Sequence, residues 1–217
     1  MTIVDNRCRL VLILPQEDDA QTLVQKLEAA LAGGDVATVI VPQYGLNDQQ
    51  FQSLAEEVMP IIQNAGAAAI VAGDSRIAGR AKADGLHMVG ARADLQEAIE
   101  KFTPKMIVGA GGIAERHTAL EVGELQPDYI FFGKLDGDIK PEPHPKNLAL
   151  GEWWASMVEI PCIVMGGNDV SSVAAVAESG AEFVALRGAV FEHPDGPGAA
   201  VSTANQILDE KAPRFGA

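Results

Sequence analysis

Two short apolar runs near the C-terminus each end in glycine, and their spacing is one that can bind a phosphoryl group. The first run ends in Gly166-Gly167 and the second in Arg187-Gly188, with a helix-length segment, residues 169–179, between them. In a (β/α)8 barrel the loops after the last two strands bind phosphate, because glycines let backbone N–H groups approach the anion and a helix N-terminus faces it. Ordinary parallel sheets also contain runs that end in Gly-Gly. It is therefore the paired arrangement that predicts a phosphate site at these residues, for a phosphorylated small molecule.

The elements that would position these glycines alternate along the chain. Short runs rich in Val, Ile, Leu and Phe are typical of strands buried on both faces. Between them lie amphipathic segments such as residues 22–31, which end at Gly33-Gly34. The predicted strands are residues 10–14, 36–41, 68–71, 85–89, 106–108, 129–132, 162–165 and 183–186. This α/β pattern favours a (β/α)8 TIM barrel, with residues 1–217 as a single domain, over an open doubly wound sheet.

Composition narrows the classes of partner. The 217 residues carry a net charge of -14, and lysine and arginine form no cluster on any predicted face, so the sequence predicts no nucleic-acid partner. No long apolar stretch precedes the first strand, which predicts neither a signal peptide nor a membrane span and favours the cytoplasm. Cys8 and Cys162 are far apart and are expected to be buried thiols. A homo-oligomer is left open.

Chemistry in a barrel sits at the C-terminal ends of the strands, so the residues after each predicted strand are candidates. They are mostly small or acidic: Asp74 follows the third strand, and Asp94 lies shortly after the fourth. A polar, proline-rich loop, residues 135–148, follows the sixth strand and is long enough to act as a lid. Its Lys140 and Lys146 are the cations best placed to reach an anion.

Five segments, in order, resemble those of one known family. Residues 83–87 read Ala-Asp-Gly-Leu-His, residues 127–130 Pro-Asp-Tyr-Ile and residues 139–141 Ile-Lys-Pro. Residues 160–167 read Ile-Pro-Cys-Ile-Val-Met-Gly-Gly, and residues 180–186 Gly-Ala-Glu-Phe-Val-Ala-Leu. These segments resemble the fourth strand, sixth strand, lid loop and last two strands of the thiamine phosphate synthases and their thiazole tautomerase relatives, which are (β/α)8 barrels.

The resemblance implies a transferase that joins hydroxymethylpyrimidine diphosphate to a thiazole phosphate and releases pyrophosphate, assisted by Mg²⁺. A departing diphosphate needs cations on its oxygens, because its negative charge grows as the bond breaks. By resemblance, Lys140 contacts the pyrophosphate and Asp74 is a metal ligand, with Asp94 as a substitute second ligand. The same resemblance places the thiazole phosphate at Gly166, Gly167, Arg187 and Gly188, where Arg187 replaces an apolar residue of the family.

The departures from the family fall where positive charge is needed. The family has an Arg and a Lys after the second strand, yet this chain has no Lys or Arg between residues 27 and 75. Gly73 replaces the Asn that precedes the family's Asp, and the Ser-x-His after the fifth strand is also replaced. Two alternatives therefore stay open: a barrel that binds a thiazole or pyrimidine phosphate without catalysis, and a phosphosugar-type isomerase or lyase on the same scaffold.

Structural roles are also open for several of these residues. His87 is expected to be a hydrogen-bonded histidine of the barrel interior rather than a catalyst. Asp74 serves equally well as the N-cap of a helix that begins at Ser75. Asp136 and Asp138, in the predicted lid, are expected to be solvated, and the alternative is that they are spare Mg²⁺ ligands.

Overall fold

Eight parallel strands close into a barrel in the computed structural model, which describes residues 6–216. The strands are β1 Arg9–Ile13, β2 Thr38–Pro42, β3 Ala68–Ala72, β4 Gly85–Met88, β5 Ile107–Ala110, β6 Tyr129–Phe132, β7 Cys162–Met165 and β8 Phe183–Leu186. They follow chain order, and β1 pairs with β8 in the register Leu10 to Val184 to complete the ring. The predicted TIM barrel is confirmed, and each predicted strand lies within two residues of its observed position. The start of the segment before β1, residues 1–5, lies outside the described residues, as does residue 217.

Helices connect the strands and form the outer layer. They are α1 Ala20–Ala32, α2 Asp48–Asn64, α3 Ser75–Ala81, α4 Arg92–Phe102, α5 Arg116–Gly123, α6 Pro145–Ala155, α7 Val173–Glu178, α8 Gly188–Phe191 and α9 Pro197–Lys211. The helix expected over residues 169–179 is divided, because a 3-10 turn, Val170–Ser172, precedes α7. The predicted lid is shorter than expected, since Pro145 already begins α6. Within residues 6–216 no helix has the length and apolarity needed to cross a bilayer.

The hydrophobic core has two layers. The barrel interior is filled by side chains that include Ile13, Ile40, Tyr129, Phe131 and Met165. A larger layer packs the outer face of the strands against the helices. Alternate residues of each strand supply the two layers, which explains why the strands are apolar on both faces.

The barrel interior admits its aromatic side chains because β5 contains Gly109 and is followed by Gly111. A Cβ at Gly109 would overlap the ring of Tyr129, and one at Gly111 would lie 2.5 Å from His87 Nε2. The ring of His87 stacks on that of Tyr129 at a centroid distance of 5.9 Å. These two glycines thus make room for the His87–Tyr129 pair.

Both cysteines are buried free thiols, as the sequence predicted. Burial raises the pKa of the Cys8 thiol to about 12, while the neighbouring Arg7 lowers it in part. Burial also raises the pKa of Cys162. Thiols held in the protonated form are weak nucleophiles, so neither position has the environment of a reactive cysteine.

Candidate functional site

A loop after β6 covers part of the barrel mouth. We call residues 133–144, which connect β6 to α6, the lid loop. Its Leu135 packs on the side chains of the barrel interior and lines a cavity of about 360 Å³, which we call the central cavity. The rest of this central cavity is formed by Ala72, Gly73, His87, Met88 and Val89. The lid loop therefore connects the ends of β3 and β4 with the last two strands.

The lid loop contacts the end of β7 through its backbone. The amide of Asn168 donates to Lys140 O at 2.8 Å, and Asn168 Nδ2 donates to Ile139 O at 3.1 Å. The carbonyl of Pro141 lies against Gly167 so closely that a Cβ at Gly167 would overlap it. Only glycine permits this approach of two backbones.

The lid loop contacts the end of β8 through a carboxylate. Asp138 Oδ2 accepts a hydrogen bond from the Gly188 amide at 2.6 Å, and Asp138 Oδ1 accepts from Arg187 Nε at 2.9 Å and from Arg187 Nη2 at 2.8 Å. The Asp138 side chain is 0% exposed. Although burial alone would lower the pKa of the Arg187 guanidinium, its bonds to Asp138 raise that pKa. The expectation that Asp138 is solvated is wrong, because β8 supplies a cation and an amide that together bind it.

The four predicted phosphate-binding residues lie together at the ends of β7 and β8. The amides of the three glycines, however, already have partners within the protein: Gly166 donates to Ala185 O at 2.8 Å, and Gly167 donates to Ser172 Oγ at 3.0 Å. The Gly188 amide donates to Asp138. In this conformation an internal carboxylate therefore takes the anion position beside Arg187 and Gly188.

Arg187 also acts electrostatically on the loop after β2. Tyr44, two residues after β2, donates its hydroxyl to Leu14 O at 2.9 Å. Burial raises the pKa of Tyr44 to about 12, and the charge of Arg187 opposes that rise. Arg187, from the end of β8, therefore places a positive charge near the loop after β2. This is the loop in which the family pattern has an Arg and a Lys.

Asp74 is the N-cap of α3. Its carboxylate accepts from the Arg76 amide at 2.7 Å and binds the Arg76 guanidinium at 2.6 Å. The side-chain bond to Arg76, followed by the backbone bond, lowers the pKa of Asp74. Asp74 lines a groove between α2 and α3 and is not among the residues around the central cavity. The capping role is observed, and a catalytic role remains a prediction.

A magnesium site is not assembled by the protein alone. Asp94 lies in the first turn of α4 and lines a cavity with Gly90 and Arg92, separate from the groove of Asp74. Among the residues that the structure describes, no three Asp, Glu, His or Cys side chains converge on one point. Both oxygens of Asp74 are bonded to Arg76. The donor set does not fit a bound ion, so we derive no step through a metal, and the ligand roles of Asp74 and Asp94 remain predictions.

Lys140 and His87 differ in their access to the mouth. Lys140 is exposed on the lid loop, two residues after the buried Asp138. His87 is buried and its Nδ1 lies 3.0 Å from the Tyr129 hydroxyl. Burial lowers the pKa of His87 to about 4, so the ring is neutral near pH 7. The interior, hydrogen-bonded position expected for His87 is observed.

Sequence reasoning missed Asp138 as a residue of the site. The segment Leu-Asp-Gly-Asp-Ile-Lys offers no local signal, because an acidic residue in a polar loop is normally solvated. The fold reverses the expected burial of these two residues: the charged Asp138 is buried, whereas the apolar Ile139 is 81% exposed. The available signal was the unusual cation Arg187, since a partly buried arginine requires a partner.

Comparison with known proteins agrees with this architecture. The family model described as thiamine monophosphate synthase matches residues 10–190. The chain is 34% identical to a thiamine-phosphate synthase of Rhodospirillum centenum over 93% of this chain and 98% of the relative. It is 33% identical to that of Hyphomonas neptunium over 95% of this chain and 96% of the relative.

Solved structures show the same fold at lower identity. Thiamine phosphate pyrophosphorylase from Pyrococcus furiosus superposes with a TM-score of 0.77 at 20% identity, covering 95% of this chain and 98% of that chain. A 3-hexulose-6-phosphate synthase superposes with a TM-score of 0.71 at 20% identity, covering 92% and 99%. At these identities the structures show the barrel fold alone, whereas the family model and the closer relatives show that the chain belongs to the thiamine monophosphate synthase family.

Proposed function

We propose that this protein is a thiamine phosphate synthase-type transferase, which joins a hydroxymethylpyrimidine diphosphate to a thiazole phosphate. In this reaction the bond between the pyrimidine methylene carbon and the diphosphate oxygen breaks, and the electron pair leaves with pyrophosphate. The thiazole nitrogen supplies the pair that forms the new C–N bond. We expect the reaction in the cytoplasm, as the sequence analysis predicts.

One observation carries the proposal. The lid loop with Lys140 is hydrogen-bonded to the end of β7 through Asn168, and it is bonded to the end of β8 through Arg187 and Gly188. A cation that could contact the leaving group is thereby held on the same rim as the proposed acceptor site. Transfer between two bound substrates requires this proximity, because both reacting groups must be held within reach of each other.

The residues have separate tasks in this proposal. Arg187 and the Gly188 amide would bind the acceptor's phosphate, and a partly buried guanidinium suits this task through its fixed fork of donors. Lys140 would bind the leaving diphosphate as a point charge. The apolar side chains of Leu135 and Val89 would limit water at the central cavity, where a cationic pyrimidine intermediate is exposed to hydrolysis.

The donor half of the site is weak in positive charge. The interval from residue 27 to residue 75 contains no Lys or Arg, and Gln43 and Tyr44 follow β2. Each missing cation removes about 1.5 to 3 kcal/mol of charged hydrogen bonding. Each loss would slow diphosphate departure roughly tenfold to a hundredfold. We therefore expect slow turnover.

The test is a single-turnover assay with enzyme in excess over both substrates in the presence of Mg²⁺, with thiamine phosphate measured by its fluorescence after oxidation. We expect product well above the reaction without enzyme. We expect Lys140→Met to lower the rate about tenfold or more, while the matched control Lys105→Met, exposed just before β5 at the other end of the barrel, leaves it unchanged. No product at high enzyme concentration would reject the transferase.

A second candidate is a barrel that binds a thiazole phosphate without turnover. The same interval without Lys or Arg after β2 favours it, because a leaving diphosphate has no cation there, whereas a thiazole phosphate would use the end of β8. Calorimetry separates the two candidates. Binding of thiazole phosphate without product formation would support this second candidate.

A further inference from the structure

An internal anion occupies the position proposed for the acceptor's phosphate. Asp138 binds the Gly188 amide and two nitrogens of Arg187, and its side chain is 0% exposed. These donors are the kind that bind a phosphate oxygen: one backbone N–H and a guanidinium fork. A carboxylate with these three bonds reproduces part of the hydrogen bonding of a phosphoryl group.

Asp138 and a phosphate cannot bind these donors together. Both are anions, and at a separation of a few Å in a partly dry site their repulsion is large. The charge of Arg187 is also already balanced by Asp138. An incoming phosphate would therefore have to displace the carboxylate before it gained the full attraction of the guanidinium.

The lid loop has the features of a segment that can release its carboxylate. It contains no helix or strand from Gly133 to His144, and it contacts β7 through two hydrogen bonds of Asn168. Ile139, next to Asp138, is 81% exposed and therefore contributes little packing. Segments with few buried apolar contacts open at low free energy.

We propose that Asp138 is a specificity-determining residue that competes with the phosphate of the acceptor for Arg187 and Gly188. It sets how strongly the site distinguishes a phosphorylated thiazole from the unphosphorylated alcohol. The proposal rests on the acceptor site of the proposed function, and it goes further by assigning the residue that limits affinity there.

The experiment measures the affinities of thiazole phosphate, inorganic phosphate and the unphosphorylated thiazole alcohol by calorimetry. Asp138→Asn keeps the shape of the side chain and an oxygen for the Gly188 amide but removes its charge. We expect about tenfold or more tighter binding of both phosphates and unchanged affinity for the alcohol. Asp136→Asn, on the exposed part of the same loop, is the matched control: its charge also acts on Tyr44, so its loss should raise the two phosphate affinities much less than Asp138→Asn does and leave that of the alcohol unchanged.

Asp138→Thr provides a second uncharged variant in case Asp138→Asn does not fold. Unchanged or weaker phosphate binding in the folded neutral variants would overturn the proposal. An equal gain with Asp136→Asn, or an equal gain for the alcohol, would also overturn it, because neither reflects competition at Arg187. Since inorganic phosphate binding is read without turnover, a failed transferase assay with a gain in phosphate affinity would reject the proposed function and leave this inference standing.

Discussion

Two aspartate–arginine pairs lie beyond the C-terminal ends of the strands, and they differ in sequence separation and in burial. Asp138 and Arg187 are 49 residues apart in sequence, with side chains 0% and 24% exposed. Asp74 and Arg76 are two residues apart, with side chains 29% and 72% exposed. The first pair joins the lid loop to the end of β8, whereas the second lies within the first turn of α3 and makes no link between elements. The proposed acceptor side of the mouth is therefore organised by tertiary contacts, and the proposed diphosphate side by local capping.

The difference in burial indicates which of the two pairs constrains the geometry of the proposed site. A buried charge must be paired, so Asp138 and Arg187 constrain each other and the loop that carries one of them. An exposed pair is screened by water and constrains little. The proposed acceptor site thus has a defined charge geometry, while the proposed diphosphate side depends on the substrate and on Lys140.

The largest effect is expected from breaking the buried pair. Arg187→Met leaves the Asp138 carboxylate buried without its cation, so we expect the free energy of unfolding to fall by about 3 to 5 kcal/mol. Arg76→Met is the matched control and should lower it by less than about 1 kcal/mol. Urea unfolding of both variants measures the contrast. Equal losses would show that burial does not distinguish the two pairs.

A smaller effect is expected where the lid loop meets β7. Gly167→Ala places a Cβ against the carbonyl of Pro141, so the lid loop must shift, and we expect a loss of about 1 to 3 kcal/mol. Gly45→Ala has open space at its Cβ and serves as the control. Thermal unfolding measures the stability of the variant, and the rate of proteolysis within residues 133–144 measures how well the lid loop is protected. A variant as stable and as protected as the wild type would contradict this contact.

The third effect, about as large as the second, is a pH dependence from His87. Its pKa is lowered from 6.5 to about 4 in the fold by burial, so the unfolded chain binds the proton more readily. Stability from this group is complete above the unfolded value and is lost as the pH falls from 6.5 towards 4. Between pH 7 and pH 5 we expect a loss of about 2 kcal/mol.

His87→Gln removes the titrating group while keeping polar atoms for Tyr129. Urea unfolding at the two pH values should show a smaller difference for this variant than for the wild type. The same pH dependence in both proteins would assign the acid sensitivity to other groups.

The barrel was predictable from the sequence because its strands are buried on both faces. That burial requires continuous apolar runs, which are visible without knowledge of tertiary contacts, and the β7 and β8 runs match the observed bounds. The division of residues 169–179 was not predictable from periodicity. It depends on Asp169 capping the Ser171 amide and on Ser172 Oγ accepting from Gly167.

The candidate site was predicted in part. The proximity of the glycines and Arg187 was predictable, because the ends of parallel strands meet at one edge of a barrel, while their binding of phosphate stays a prediction. It did not reveal Asp138, because the burial of a loop carboxylate depends on a partner from β8. The N-cap role of Asp74 was visible locally, since Asp followed by Ser-Arg-Ile is typical of a helix start.

Amide chemical shifts of the ¹⁵N-labelled protein during titration with thiazole phosphate test the central claim most directly. The account predicts that the largest changes occur at Gly188 and in the lid loop around Asp138, because the phosphate takes the amide that the carboxylate releases. Saturable binding that leaves the Gly188 amide unchanged and shifts residues elsewhere in the barrel would contradict it.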